Sequence, residues 1–239
     1  MIWTEKYRVM AHDVDMTGRV KISGLMRYMA ETACRHMNGT GPTEKELREQ
    51  DRAFLVARIL VEKYGELHHG DEFEVNTWAE ISSGVSFGRA FIIKQGETTV
   101  AKARSVWTLY DFGEKRFVRV SDIEMKYGPE APMEMELPRR LSLPDGVTLT
   151  GLTGKRVEYG DIDENRHMNN TVYADMFCGC IPEIKNGSAG VRSVFINFSH
   201  ECRLDEDIDI DAACDGGVWY FRSHRPDGML NAEARIAVS

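Results

Sequence analysis

The stretch Asp161-Ile162-Asp163-Glu164-Asn165-Arg166-His167-Met168-Asn169-Asn170 decides how the rest of the chain is read. It packs the carboxylates of Asp161 and Asp163, one imidazole and three side-chain amides around only two apolar residues, Ile162 and Met168. Val172, Tyr173, Met176, Phe177 and Cys180 follow at the spacing of one helix face. Asn169 or Asn170 is placed to cap that helix, because an Asn oxygen accepts a backbone N–H that the first turn leaves unpaired. Asp163, Asn165 and His167 therefore alternate along an extended or turning segment that ends at a helix N-terminus. Free N–H groups and a positive dipole end suit a developing oxyanion. The stretch reads as the entry loop of an active site.

Upstream, residues 5–10 read as a strand, Ser23 to Met37 as a helix with Leu25, Met26, Met29 and Ala33 on one side, and 43–52 as a short exposed helix. The period then changes to two. Segments 54–64, 72–82, 89–95, 98–111 and 116–120 read as antiparallel strands separated by glycine turns. Residues 129–150, with Pro129 and Pro132 at their start and Pro138 and Pro144 further on, lose all apolar period and read as a linker. Residues 1–128 and 151–239 then look like two copies of one unit. Asp13-Val14-Asp15 matches Asp161-Ile162-Asp163, Glu72–Val75 matches Asp207–Ile210, and Ala101–Arg104 matches Ala232–Arg235, at offsets of about 131 to 148. The predicted class is α+β, with a long helix on one antiparallel sheet, twice over.

Composition narrows the function. The 239 residues are 42% hydrophobic and 28% charged, with no apolar run long enough to span a bilayer. A net charge of −8 lacks the basic footprint of a nucleic-acid binder. Five cysteines without C-x-x-C spacing favour neither a disulfide framework nor a zinc site. The opening Met1–Tyr7 has no leader character, so the expected location is cytoplasmic, with no membrane partner.

Across its whole length the chain resembles the acyl-acyl-carrier-protein thioesterases, the double (tandem) hot-dog enzymes of plant plastids and many bacteria. Phe54–Arg58, Gly70-Asp71, Asn76–Trp78 and Ala101–Trp107 resemble that family's strands, 161–173 its catalytic motif, and Asn197–Cys202 the later strand that completes the site. The resemblance implies hydrolysis of a fatty acyl thioester on acyl carrier protein. It implies a catalytic network of Asp163, Asn165, His167 and Glu201, with no metal and no cofactor. It also places the acyl tunnel in the N-terminal repeat, where Leu25, Met26 and Met29 lie, while Asn169 and Asn170 complete the substrate-facing set.

Two routes fit these residues. In one, Asp163 or Glu201 activates water or attacks directly while Asn165 and His167 position and polarise. In the other, Cys202 is the nucleophile with His167 as base. The first is favoured, because neighbours on a strand point to opposite faces, so Glu201 in the site turns Cys202 away. An acyl-CoA thioesterase and a non-catalytic acyl-binding protein are the competing readings. Taken singly, His167 reads as a cap, Asp163 as a turn residue and Cys202 as a small core side chain; the constellation is what argues for catalysis.

Three further motifs bear on function. Asp161-x-Asp163-x-Asn165 starts like an EF-hand loop, but Arg166 replaces the needed glycine and Val172 the needed glutamate. Gly84-Val85-Ser86-Phe87-Gly88 fits a serine-hydrolase elbow, but a strand pattern follows it rather than a helix. Asp13–Arg19 is the first-copy counterpart of the catalytic loop, with Thr17 and Arg19 in place of Asn165 and His167, so the first copy is expected to bind rather than react. An acidic carrier docking on an acidic enzyme needs a local basic patch, for which Arg139, Arg140, Lys155 and Arg156 are candidates. Duplication makes a monomer physically adequate, with a homodimer as the alternative.

Overall fold

The segments of period two become strands and the amphipathic stretches become helices. The fold is that of a computed structural model, which describes residues 1–126 and 128–239; Tyr127 lies outside the described residues. The chain divides into two units, Met1–Val20 with Gly24–Leu137, and Lys21–Ser23 with Pro138–Ser239.

The N-terminal unit contains β1 (Trp3–Arg8), α1 (Ile22–Thr40), α2 (Glu44–Arg48), β2 (Arg52–Lys63), β3 (Glu72–Ala79), β4 (Phe87–Gln95), β5 (Thr98–Asp111) and β6 (Arg116–Val118). The strands run β1-β3-β4-β5-β2, each neighbour antiparallel, with β6 paired to the end of β5. Alternation puts Phe73, Val75, Phe91, Ile93, Ala101 and Ala103, all buried, on one face. Helix α1 covers that face: the Tyr28 ring meets Phe73 edge-on at 5.0 Å. Burial of each large side chain here contributes about 1.5–3 kcal/mol. The Gly84–Gly88 motif leads into β4, a strand, as its sequence pattern predicts.

The C-terminal unit contains β7 (Thr150–Arg156), α3 (Asn170–Gly179), α4 (Pro182–Lys185), β8 (Val191–Phe198), β9 (Asp207–Asp215), β10 (Val218–His224) and β11 (Leu230–Val238). Its strand order is β7-β9-β10-β11-β8, which matches the N-terminal unit strand for strand. The sequence repeats fall in register with this match: Glu72–Val75 opens β3 as Asp207–Ile210 opens β9, and Ala101–Arg104 lies in β5 as Ala232–Arg235 lies in β11. Each copy is thus a hot-dog unit. The helices differ, however. Sequence analysis expects a long helix in both copies, yet α3 has 10 residues against 19 in α1. The chain turns at Cys180 and restarts at Pro182, which lacks an N–H and would clash with the carbonyl four residues back if α3 continued. Even so, α3 packs as α1 does, with Phe177 stacked on Phe221 of β10 at 5.1 Å.

Residues 128–135 form no helix or long strand but are tied to the N-terminal unit. Glu80, buried beside β3, accepts Met133 N–H and both holds and neutralises Arg104 at 2.9 Å, while Arg104 donates to the Met135 carbonyl. Among the described residues no helix is long and apolar enough to cross a membrane.

Candidate active site

The opening motif folds into a tight loop closed by its own backbone. Ile162 and Met168 pair as an isolated β-bridge, Asp163 N–H donates to the His167 carbonyl at 3.1 Å, and Arg166 N–H donates to the Asp163 carbonyl at 3.0 Å. Arg166 sits at φ +67°, the left-handed conformation the turn requires. The Asp163 side chain accepts Asn165 N–H at 2.8 Å, an Asx turn. This geometry brings His167 Nδ1 within 3.9 Å of Asp163 Oδ1. Asn169 is the cap of α3, accepting Thr171 N–H at 2.9 Å, and Asn170 is the first helical residue. Below the loop, Asp161 is held by Lys155 Nζ at 2.6 Å and by Glu158 N–H.

Glu201 arrives from the other side of the imidazole. Its Oε2 lies 3.5 Å from His167 Nε2, so one histidine stands between two carboxylates. At these separations the three groups are in charge contact rather than hydrogen-bonded. The other Glu201 oxygen is gripped by Arg203, at 2.8 and 3.2 Å from Nη2 and Nε. Glu201 does not lie on a strand, contrary to the sequence reading. The β8–β11 ladder ends at the Phe198–Ala232 pair, and Ser199 and His200 both donate to the one carbonyl of Asn231, which turns the chain out of the sheet.

Cys202 differs from its exposed neighbour Glu201 in its surroundings. It is fully buried, its carbonyl accepts Met168 N–H at 2.8 Å, and its Sγ accepts a hydrogen bond from the Tyr173 hydroxyl at 3.1 Å. Burial pushes the Cys202 thiol up, against the smaller lowering effect of the Tyr173 hydrogen bond, so the neutral thiol is favoured. Burial likewise pushes the Tyr173 hydroxyl up. Cys202 thus ties the Glu201 segment to both the Asp163–His167 loop and α3.

Both halves of the chain match models of one family. The model for "Acyl-ACP thioesterase N-terminal domain" covers residues 1–126, and that for "Acyl-ACP thioesterase C-terminal domain" covers residues 151–234. The chain belongs to the acyl-ACP thioesterase family. It is 23% identical over 228 residues to the chloroplastic oleoyl-acyl carrier protein thioesterase 2 of Arabidopsis thaliana, covering 87% of this chain and 61% of that protein. It is also 23% identical over 240 residues to the chloroplastic palmitoyl-acyl carrier protein thioesterase of the same plant, covering 91% and 57%. The chain thus spans about three fifths of the length of these curated relatives. Among solved structures, an acyl-ACP thioesterase from Bacteroides thetaiotaomicron superposes with a TM-score of 0.89 at 18% identity, covering 100% of this chain and 98% of that one. A 12:0-ACP thioesterase from Umbellularia californica gives 0.81 at 19%, covering 100% and 97%. These likenesses show that the tandem hot-dog fold is shared.

Within this thioesterase-family chain, Leu25, Met26 and Met29 lie buried on α1 of the N-terminal unit. The first-copy loop repeats the backbone of the Asp163–His167 loop, with Asp15, Thr17, Gly18 and Arg19 where the second copy has Asp163, Asn165, Arg166 and His167. The basic patch is smaller than the sequence suggests: Lys155 faces Asp161, and Arg156 faces Asp205 and Asp207, leaving Arg139 and Arg140 as the exposed pair. Three partners escaped the sequence reading. Tyr173 looked like one more apolar helix residue, Lys155 like a docking cation, and Arg203 carried no motif; its i+2 spacing from Glu201 was the available signal.

Proposed function

We propose that the chain hydrolyses the thioester joining a fatty acyl group to acyl carrier protein, releasing free fatty acid and ending chain growth. The His167 imidazole set between Asp163 and Glu201, in a chain of this family, carries the reading. Thioester hydrolysis needs a water, a base for its proton and donors for the carbonyl oxygen. Asp163 or Glu201 takes a proton from water, whose oxygen bonds to the carbonyl carbon. Asn165 and His167 position the reactants and polarise the carbonyl. Collapse of the oxyanion breaks the carbon–sulfur bond, and the departing thiolate takes up a proton. The burial of Cys202 and its Tyr173 bond favour this carboxylate route over a cysteine nucleophile.

The acyl chain lies in the N-terminal unit, where the first-copy loop lacks both Asn165 and His167 equivalents. Exposed Arg139 and Arg140 give an acidic carrier a local point of attachment. The test is hydrolysis of the same acyl chains on carrier protein and on CoA, by wild type and Arg139→Glu/Arg140→Glu. The reading expects a preference for the carrier that the charge reversal erodes through KM. Turnover of neither substrate would leave an acyl-binding protein, and equal turnover of both, unmoved by the reversal, would remove the carrier from the reading.

A further inference from the structure

Three buried polar side chains gather by the segment that carries Glu201, at places where the first copy is apolar. The two copies match there bond for bond. Met168 N–H donates to the Cys202 carbonyl at 2.8 Å, as Val20 N–H donates to the Leu67 carbonyl at 2.8 Å. Ser199 and His200 N–H donate to the Asn231 carbonyl, as Tyr64 and Gly65 N–H donate to that of Val100. Asn231 and Val100 are each the extra residue of a β-bulge. Asn231 falls between the Ser223–Ala232 and His224–Leu230 pairs, and Val100 between the Ile93–Ala101 and Lys94–Thr99 pairs. Such a bulge re-aims the side chain it carries. On the helices, Tyr173 follows Met168 at the interval at which Leu25 follows Val20. In the first copy Leu25, Leu67 and Val100 border one small cavity. In the second, the same three places hold Tyr173, Cys202 and Asn231, none more than 2% exposed. Tyr173 bonds Cys202, but among the described residues neither Nδ2 nor Oδ1 of Asn231 has a hydrogen-bond partner. A buried carboxamide without partners weakens a fold, and Val100 shows that the bulge accepts an apolar side chain. The fold alone therefore does not call for Asn231.

We propose that Asn231, Tyr173 and Cys202 form a buried water site that holds the Glu201 segment in place opposite His167. The chemistry of the three groups suits water. The carboxamide offers both a donor and an acceptor, the Tyr173 oxygen keeps lone pairs after donating, and the Cys202 S–H is a weak donor. A buried water typically makes about three bonds to otherwise unpaired groups of this kind. With all three side chains buried, the site takes water rather than part of a substrate. The water ties β11 to Cys202, which adjoins Glu201 and whose carbonyl holds Met168 at the end of the Asp163–His167 loop. Asn231 is thus a positioning residue. Its role rests on the hydrolase reading above, in which Glu201 works beside His167. The polar group accompanies the loop that has the imidazole, and its apolar counterpart accompanies the loop that lacks one.

The test compares Asn231→Val, which copies the first repeat, with Asn231→Thr, which has the shape of valine but restores a hydroxyl. Steady-state hydrolysis of acyl-carrier substrate gives kcat and KM, thermal melts give stability, and crystal structures of wild type and Asn231→Val show the site directly. The expected result is a loss of about tenfold in kcat for Asn231→Val with KM within about twofold, and recovery of most of that loss in Asn231→Thr. Tm should hold or rise in Asn231→Val, because an apolar side chain replaces a buried amide. The wild-type crystal structure should show a water bonded to the Asn231 carboxamide, lost in Asn231→Val. A fall in Tm with kcat unchanged would mark a purely structural amide and overturn the proposal. So would equal kcat in all three proteins, or a carboxamide bonded to protein groups alone. The wild-type crystal structure decides the matter if Asn231→Val does not fold. A water at the site in a protein without thioester turnover would overturn the hydrolase reading and leave the water site standing.

Discussion

The two loops at Asp15–Arg19 and Asp163–His167 share a backbone and differ in what their side chains are spent on. In each, the aspartate N–H bonds the carbonyl four residues on, and a left-handed residue, Gly18 or Arg166, closes the turn with an N–H to the aspartate carbonyl. In the first copy the Asp15 carboxylate is consumed by the loop itself: Oδ1 accepts from Thr17 N, Thr17 Oγ1 and Arg19 N, and Arg19 Nε lies 3.6 Å from Oδ2. In the second, among the described residues, the Asp163 side chain accepts one hydrogen bond, from Asn165 N, and otherwise faces His167. A carboxylate with its lone pairs filled is a structural part, whereas one with capacity left beside an imidazole can move a proton. The duplication keeps the loop scaffold twice, and the proposed chemistry fits the second copy alone.

Removing the imidazole should have the largest effect. His167→Ala is expected to lower kcat/KM on acyl-carrier substrate by about a hundredfold to ten thousandfold. Grafting Thr17→Asn and Arg19→His onto that variant should restore nothing, and recovery would break the contrast between the loops. Next comes the guanidinium that orients Glu201. Arg203→Met should cost about tenfold in kcat with little change in KM, the worth of one partly solvated charge-assisted pair.

The remaining effects fall on stability. Burial raises the Asp15 carboxyl, but the Thr17 hydroxyl and N–H and the Arg19 N–H outweigh it and hold it below the usual range. Its contribution is therefore present above the ordinary aspartate range and lost as pH falls through the depressed value. Asp15→Asn should destabilise at pH 7 by about 1 kcal/mol, and by progressively less as pH falls through the depressed value, measured by urea unfolding. The smallest effect is conformational. A Cβ added at Gly18 meets no atom within 4 Å, yet φ there is +81°. Gly18→Ala should thus cost about 1 kcal/mol in melting experiments without touching activity.

Much of this was legible in the sequence. Strand periodicity and the Asp-x-Asp and Ala-x-Ala-Arg repeats specify two copies, because alternation and turn glycines are local properties. The Asp163–His167 loop could be read for the same reason, since five consecutive residues make its geometry. The strand placement of Glu201 fails because Asn231, on β11, accepts two N–H groups and ends the ladder early, a nonlocal event. The Pro182 break was visible, although the apolar face of α3 masked its effect. Tyr173, Cys202 and Asn231 were not legible as a group, since only the β11 bulge and the turn after β8 bring them together.

The central claim is that a carboxylate works with His167 while Cys202 only supports the frame. It is tested most directly by steady-state hydrolysis of acyl-carrier substrate by Asp163→Asn and Cys202→Ala side by side. The account predicts a loss of at least about a hundredfold in kcat for Asp163→Asn, with Cys202→Ala keeping activity within about tenfold of wild type. Abolished turnover in folded Cys202→Ala, with activity surviving in Asp163→Asn, would contradict it.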